Sequence, residues 1–308
     1  MEAVRKIVTS STCPSEHASM FLSQYEKTRT YLKQSFNDQA QIDEALKILE
    51  RTAQTACGRF LIQHSELDIY WSDLLLYNPS QLSSLAKENA DEILETLPLV
   101  TALRQHIDIR RQILEDNLRN YLTISTLPCN GMGDILSIND KTLHTLRLIG
   151  IDTNPVAFEI AFQKAEQKNL SHWLEFLQYD PHHVPLEKDA AHLVIMPGSA
   201  YPFGPVIPSI TQNLLTNVYQ HLQEGGIFLT SLITPSPTTD AASLWDLKAI
   251  NPSTLHHQNV LFKDILQIKE NHTLTVDQLT DQLAESGFQN IEVGFDPAKI
   301  MATVVAQK

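Results

Sequence analysis

The chain has 308 residues, of which 43% are hydrophobic and 19% charged, and a formal net charge of −13 from 23 basic and 36 acidic side chains. This is ordinary globular usage in a chain longer than the commonest single domain, so one large or two unequal domains are expected and disorder is not. An acidic chain with no Lys/Arg run beyond Arg110–Arg111 lacks the basic face that a nucleic-acid partner needs. The three cysteines, Cys13, Cys57 and Cys129, form no CxxC pair, which suggests neither a disulfide framework nor a zinc knuckle and fits a reducing, cytoplasmic setting. The stretch MEAVRKIVTSSTCPSEH has no signal-peptide core, and no window of about 18 apolar residues exists, so no membrane partner is expected; export into a host stays open.

In chain order, helical text comes first, from about Ser15 to Leu122. Phe21, Leu22, Tyr25, Tyr31 and Leu32 have spacings compatible with one helical face. Ile42, Leu46, Leu49 and Ala53 repeat the pattern behind a cap at Asn37 or Asp38. Asn78–Pro79 is a turn signal, and a long helix then turns Ile107, Ile113, Leu114 and Leu118 inward. After Leu122 the texture changes. Short β-rich runs (LTISTL, LRLIGID, LEFLQYD, AHLVIMP, GGIFLTSLI) alternate with helical stretches, the pattern of a parallel sheet covered by helices. The last two β runs are separated by only DPAK, too short for a crossover, so they are antiparallel neighbours. Thr234–Val260 reads as a Pro-rich, polar loop insertion. The expected domains are a helical region, 1–120, and an α/β region, 121–308.

Within YLTISTLPCNGMGDILSI, a β run meets a proline, two close glycines and a return to apolar residues. In doubly wound sheets ligands sit over such a first strand–helix turn, where glycines admit close approach and a helix N-terminus offers free N–H groups. The second strand ends in Asp152, about twenty residues after the first glycine, where an acid accepts hydrogen bonds from both hydroxyls of a ribose. Alternatively, Asp152 or Thr153 caps the helix that follows. The third strand ends at Asp180, within reach of an adenine amino group.

Loop, acid and acid on three ordered strand tips are shared by nicotinamide or flavin oxidoreductases and class I S-adenosylmethionine (SAM) methyltransferases. The helix ending LQEGG before the fifth strand, and LAESGFQNIEVGFD…IMATVVAQK at the end, resemble the class I methyltransferase plan over roughly Tyr121 to Lys308. The chain also resembles a bacterial group of uncharacterised methyltransferase-domain proteins with a helical N-terminal region. The resemblance implies a Rossmann-like α/β sheet, mostly parallel with an antiparallel C-terminal strand, beside an all-α N-terminal domain that acts as a lid and selects the substrate. It implies SAM as cofactor, held by Pro128, Cys129, Asn130, Gly131 and Gly133 in the loop and by Asp152, Thr153, Tyr179, Asp180 and Met196 at the strand ends. It implies in-line methyl transfer to an unidentified acceptor, a small molecule or a protein.

The family's loop is an acid followed by Gly-x-Gly-x-Gly. Here Thr126 stands near the acid's place, Pro128 near the first glycine, and Asn130 or Gly131 near the second. That leaves a SAM-binding pseudoenzyme working as an interaction module as one alternative. An NAD-dependent oxidoreductase is the other, disfavoured by the missing third glycine and the terminal hairpin. If the acceptor arrives protonated, His182, His183 and Tyr201 in MPGSAYPFG are candidate catalytic bases, and Tyr201 is also a candidate for lining the acceptor pocket. His182–His183 read equally as part of a turn, and without a third ligand they form no metal site. Trp245 and Asp246 either reach over the cleft or staple the insertion to the core. Cys129 reads as a small packing residue.

Overall fold

The computed structural model describes residues 14–78, 92–120, 122–138, 141–179, 186–197, 212–238, 240, 242–268 and 274–308. Helices α1 (Pro14–Ser35), α2 (Gln39–Ala53), α3 (Ala56–His64), α4 (Ile69–Tyr77), the single turn α5 (Glu92–Glu95) and α6 (Pro98–Asn117) precede the first strand. The chain divides into two compact units, Met1–Leu67 with Pro79–Leu97 and Pro252–Lys269, and Asp68–Asn78 with Pro98–Asn251 and Glu270–Lys308. The expected single cut near residue 120 differs from this division. Helices α4 and α6 belong to the unit that carries the sheet, and a segment from the C-terminal half belongs to the helical unit.

In the helical unit, α1 turns Thr28 and Leu32 inward, with Phe21 and Tyr25 half-buried on the same stripe. Leu22 and Tyr31, expected on that face, are exposed, because the buried spacing is i, i+4, i+7, i+11 and they lie to either side of it. Helix α2 opens at Asp38, whose carboxylate accepts the Ala40 N–H at 3.2 Å, and buries Ala45, Ile48, Leu49 and Thr52. Part of the expected loop insertion is helical: Pro252–Asn259 forms α10, and Val260–Ile265 continues as a π-helical segment. Pro252 at the first helical position presets the backbone for that start.

The sheet unit has seven strands: β1 (Thr123–Thr126), β2 (Arg147–Asp152), β3 (Leu174–Gln178), β4 (Ala191–Met196), β5 (Leu222–Ile233), β6 (Gln289–Phe295) and β7 (Met301–Gln307). Their spatial order is β3-β2-β1-β4-β5-β7-β6. The first five strands pair in parallel, and β7 runs antiparallel between β5 and β6. This is the mostly parallel α/β sheet with an antiparallel C-terminal hairpin that the resemblance implies.

Alternation along each strand divides the core in two. Ile124, Leu148, Leu193, Ile195 and Leu229 face α4, α6, the four-residue α7 (Gly133–Leu136) and α8 (Pro155–Gln167). Ile149, Ile151, Val194, Met196 and Phe228 face α9 (Gln212–His221) and α11 (Val276–Glu285). Two buried polar pairs tie helices to strands. Ser125 Oγ lies 2.9 Å from His221 Nε2 on the second face, and Thr303 Oγ1 lies 2.7 Å from His106 Nδ1, which joins α6 to β7. Burial, and then the neighbouring Arg110, hold the His106 imidazole well below its ordinary value.

His106 is therefore neutral in the folded protein, while in the unfolded chain it takes up a proton near the usual imidazole value of about 6.5. Above that pH neither state gains a proton; below it the unfolded state gains one first, so stability is lost as pH falls. Urea unfolding from pH 7 to pH 5 should show this loss, and His106→Gln should lower the slope by up to about 1.4 kcal/mol per pH unit.

Candidate functional site

Strand β1 ends at Thr126 and the chain turns at once. The Leu127–Pro128 peptide is cis, and Asn130, Gly131 and Met132 then adopt left-handed backbone, with φ of 43°, 75° and 51°, before α7 begins. That conformation is uphill for Asn and Met, so surrounding contacts must hold it.

On one side the hold is Asp152, the last residue of β2. Its Oδ2 accepts the Asn130 N–H and its Oδ1 accepts the Asn154 N–H, both at 3.0 Å. The Cys129 N–H donates to the Ile151 carbonyl at 2.9 Å, which ties the bend to the same strand. Asp152 does not cap α8; Asn154 does, by accepting the Val156 N–H at 3.0 Å. Each carboxylate oxygen thus holds one of these donors, and the Cys129 thiol is hydrogen-bonded to the same carboxylate as a third. The Tyr179 phenol is pushed up by burial and then by the Asp152 charge, and the Cys129 thiol is pushed up by the same two causes. Cys129 therefore stays protonated at neutral pH, a packing residue and not a nucleophile. Two further polar atoms of the bend, Thr126 Oγ1 and Asn130 Nδ2, are buried without a hydrogen-bond partner among the described residues. Buried orphans of this kind are rare and call for an explanation.

On the other side the bend is packed by the protein's own side chains. A Cβ on Gly131 would stand 2.8 Å from Ile160 Cγ2 of α8, and one on Gly133 would stand 2.6 Å from the Tyr77 ring of α4. Gly133 has ordinary helical angles, so it is needed for close approach and not for backbone freedom. The Tyr77 hydroxyl donates to Asp134 Oδ1 at 2.8 Å, and Arg110 Nη2 of α6 donates to the same oxygen at 2.8 Å. Arg110 and Asp134 are almost fully buried. Lys164 stands 5.0 Å from the centre of the Tyr77 ring and pairs with Asp73 of α4. Burial pushes the Asp73 carboxyl up, opposed by Lys164.

Pro128 to Gly133, Cys129, Asp152 and Tyr179 are thus brought together at the β1, β2 and β3 ends. The Thr153 carbonyl accepts from Gln178 Nε2 at 3.3 Å. Met196, at the end of β4, is buried in the core shared with α9 and α11. Asp180, His182, His183 and Tyr201 lie outside the described residues. Helix α7 has only four residues, too short for the helix N-terminus expected after the bend to act as an anion site. Trp245 Nε1 donates to the Thr234 carbonyl at 3.2 Å and the Asp246 N–H donates to the Ala298 carbonyl at 2.8 Å, so these residues staple the insertion to the end of β5 and to the β6–β7 turn. Among the described residues no three His, Cys, Asp or Glu side chains are grouped to hold a metal ion, and no helix is long and apolar enough to cross a membrane. Sequence reasoning missed Tyr77, Arg110, Asp134 and Lys164. One signal was present: Arg110 falls on the stripe of Ile107 and Leu114, and an arginine on an inward face requires an acid.

No protein-family model and no curated protein matches the sequence. Among solved structures the chain is similar to one described as a possible exported protein from Bordetella parapertussis, with a TM-score of 0.83 and 25% identity over 97% of this chain and 99% of that one. It is also similar to a candidate O-methyltransferase from Nostoc punctiforme, with a TM-score of 0.47 and 15% identity over 66% of this chain and 56% of that one. A third structure, a SAM-dependent methyltransferase from Thermotoga maritima, gives a TM-score of 0.42 and 12% identity over 67% of this chain and 90% of that one. The sheet unit has a Rossmann-like α/β fold, mostly parallel with an antiparallel C-terminal hairpin.

Two outcomes follow for stability. Gly133→Ala should cost about 1–3 kcal/mol, the usual penalty for an atom forced into a filled space, seen as a lower thermal midpoint. Arg110→Met should cost about 3–5 kcal/mol in urea unfolding, because it leaves Asp134 buried without its cation, and adding Asp134→Leu should restore most of the loss.

Proposed function

We propose that this protein is a SAM-dependent methyltransferase whose cofactor lies over the bend from Pro128 to Gly133. The observation that carries the reading is the Asp152 carboxylate, fixed at the tip of β2 by two backbone donors and the Cys129 thiol, with acceptor capacity left for a ribose hydroxyl. The orphaned Thr126 Oγ1 and Asn130 Nδ2 supply an acceptor-donor and a donor beside it, so the residues present fit the polar part of an adenosyl group.

When bound, SAM supplies a methyl group activated on a sulfonium sulfur. The chain then has to hold an acceptor in line and keep water out, and gains chiefly from proximity and orientation. In this reading Asp152 grips the sugar, and Asn130 and Gly131 present backbone to it. Tyr179 and Met196 back the strand tips, Thr153 and Asp180 flank the adenosine, and Tyr201 lines the acceptor side. His182 takes the proton from an acceptor that arrives protonated. The acceptor is a small molecule, and the N-terminal helical region, 1–120, selects it, as segments outside a fixed cofactor site commonly do.

One observation favours a second reading, a SAM-binding interaction module without turnover: the room at Gly131 and Gly133 is taken by Ile160 and Tyr77. Transfer of labelled methyl from SAM to a panel of small acceptors separates the two.

Calorimetric titration of the whole protein with SAM, S-adenosylhomocysteine and NAD tests the cofactor. Asp152→Ala should weaken SAM binding by about 1–3 kcal/mol, the usual cost of a lost charge-assisted hydrogen bond. Unchanged affinity would place the ribose elsewhere, and a preference for NAD would overturn the assignment.

A further inference from the structure

Three successive left-handed residues need support from both sides, and Asp152 supplies it from one side only. The opposite side is supplied by α4, a helix that precedes the bend by more than fifty residues. Its Tyr77 makes three contacts there. The ring lies against Gly133 so closely that a methyl group would not fit, the hydroxyl donates to Asp134 one residue further on, and the ring face receives Lys164 of α8. Lys164 Nζ in turn lies 3.9 Å from the position a Cβ on Gly131 would take. Asp134 is thereby pinned by two donors on one oxygen, the Tyr77 hydroxyl and Arg110 Nη2, at equal distances of 2.8 Å. A fork of this kind fixes the direction of the Asp134 side chain as well as its charge, and with it the backbone at which Met132 leaves the left-handed region and α7 begins.

We propose that Tyr77 is a positioning residue for the cofactor bend: through its hydroxyl on Asp134 it holds Asn130–Met132 in the left-handed form that presents the loop backbone to SAM. The proposal rests on the reading above that SAM lies over this bend. In this proposal Tyr77 acts through Asp134 and Gly133. Removing the hydroxyl alone leaves the ring against Gly133 and Lys164 in place, so the effect of the hydroxyl is read apart from that of the ring.

The variant is Tyr77→Phe in the full chain, with Ser125→Ala as control. The control removes a buried hydroxyl of the same unit, on the sheet face away from α4 and α6, where it meets His221. Two readouts are needed. Amide hydrogen exchange without ligand follows Asn130, whose N–H is held by Asp152, and Met132, whose N–H is held by the Cys129 carbonyl. Titration with SAM gives the affinity. In Tyr77→Phe, exchange at Asn130 and Met132 should accelerate about tenfold and SAM affinity should fall by a similar factor, the size set by one hydrogen bond to a carboxylate. Amides in the middle of β4 and β5 should exchange as in the wild type. Ser125→Ala should change neither the bend nor the affinity.

Unchanged exchange at Asn130 and Met132 overturns the proposal whether or not SAM binds. Faster exchange with unaltered SAM affinity also overturns it, and reduces Tyr77 to a structural role. A wild-type protein that does not take up SAM at all removes the cofactor reading itself, and the exchange data still show independently whether Tyr77 holds the bend.

Discussion

The site depends on a short backbone segment kept in an uphill conformation between two carboxylates. Asp152, on β2, takes the Asn130 N–H from one side, and Asp134, at the start of α7, takes Tyr77 and Arg110 from the other. Neither acid is interchangeable with an apolar residue of the same size. Asp152 must accept backbone protons at a strand tip, and Asp134 neutralises a guanidinium that is almost fully buried. A buried ion pair contributes little net stability, since desolvation offsets most of the attraction. What it does supply here is direction: the bidirectional fork on Asp134 sets where the bend can go.

The two glycines of the bend do different work from the one their sequence suggests. Gly131, at φ 75°, meets a conformational need as well as a steric one, whereas Gly133 is helical and serves only to admit an aromatic ring. In both cases the space made by the missing side chain is filled from within the protein. A loop built this way is stiffer than an open glycine loop, because each missing Cβ is replaced by a packed contact and not by solvent. Any ligand over it meets a surface already in its final shape, which lowers the ordering cost of binding.

Much of this was legible in the sequence, for physical reasons. The central strands β1, β2 and β4 announce themselves because a parallel sheet buried on both faces needs continuous apolar runs, and the four-residue link DPAK leaves the last pair no choice but to be antiparallel. Asp152 was legible because its position at a strand end follows from the run before it. The cap of α8 was misplaced by one or two residues, since Asp152, Thr153 and Asn154 all have capping side chains and only the local backbone angles decide among them. The inward face of α1 was blurred because Leu22 and Tyr31 are hydrophobic yet flank the buried stripe. The Tyr77–Asp134–Arg110 network was out of reach, since it joins residues separated by 57 and 24 positions and carries no local period.

The same network explains why the helical text before β1 cannot be treated as one detachable cap. Chain order and structural membership part company at Asp68, where the polypeptide enters the sheet unit for one helix, leaves it at Asn78, and returns at Pro98. Helix α4 contributes Ile69 to the larger core and Tyr77 to the bend, and α6 contributes Leu114, the cation for Asp134 and, just past its end, Leu118. A piece beginning at β1 would keep all seven strands. It would nevertheless expose the face that Leu114 and Leu118 cover, and leave the Asp134 carboxylate inside without a counter-charge. The minimum unit that can hold the bend is therefore discontinuous in sequence, and the N-terminal half of the chain enters the candidate site through the two helices that support it from behind.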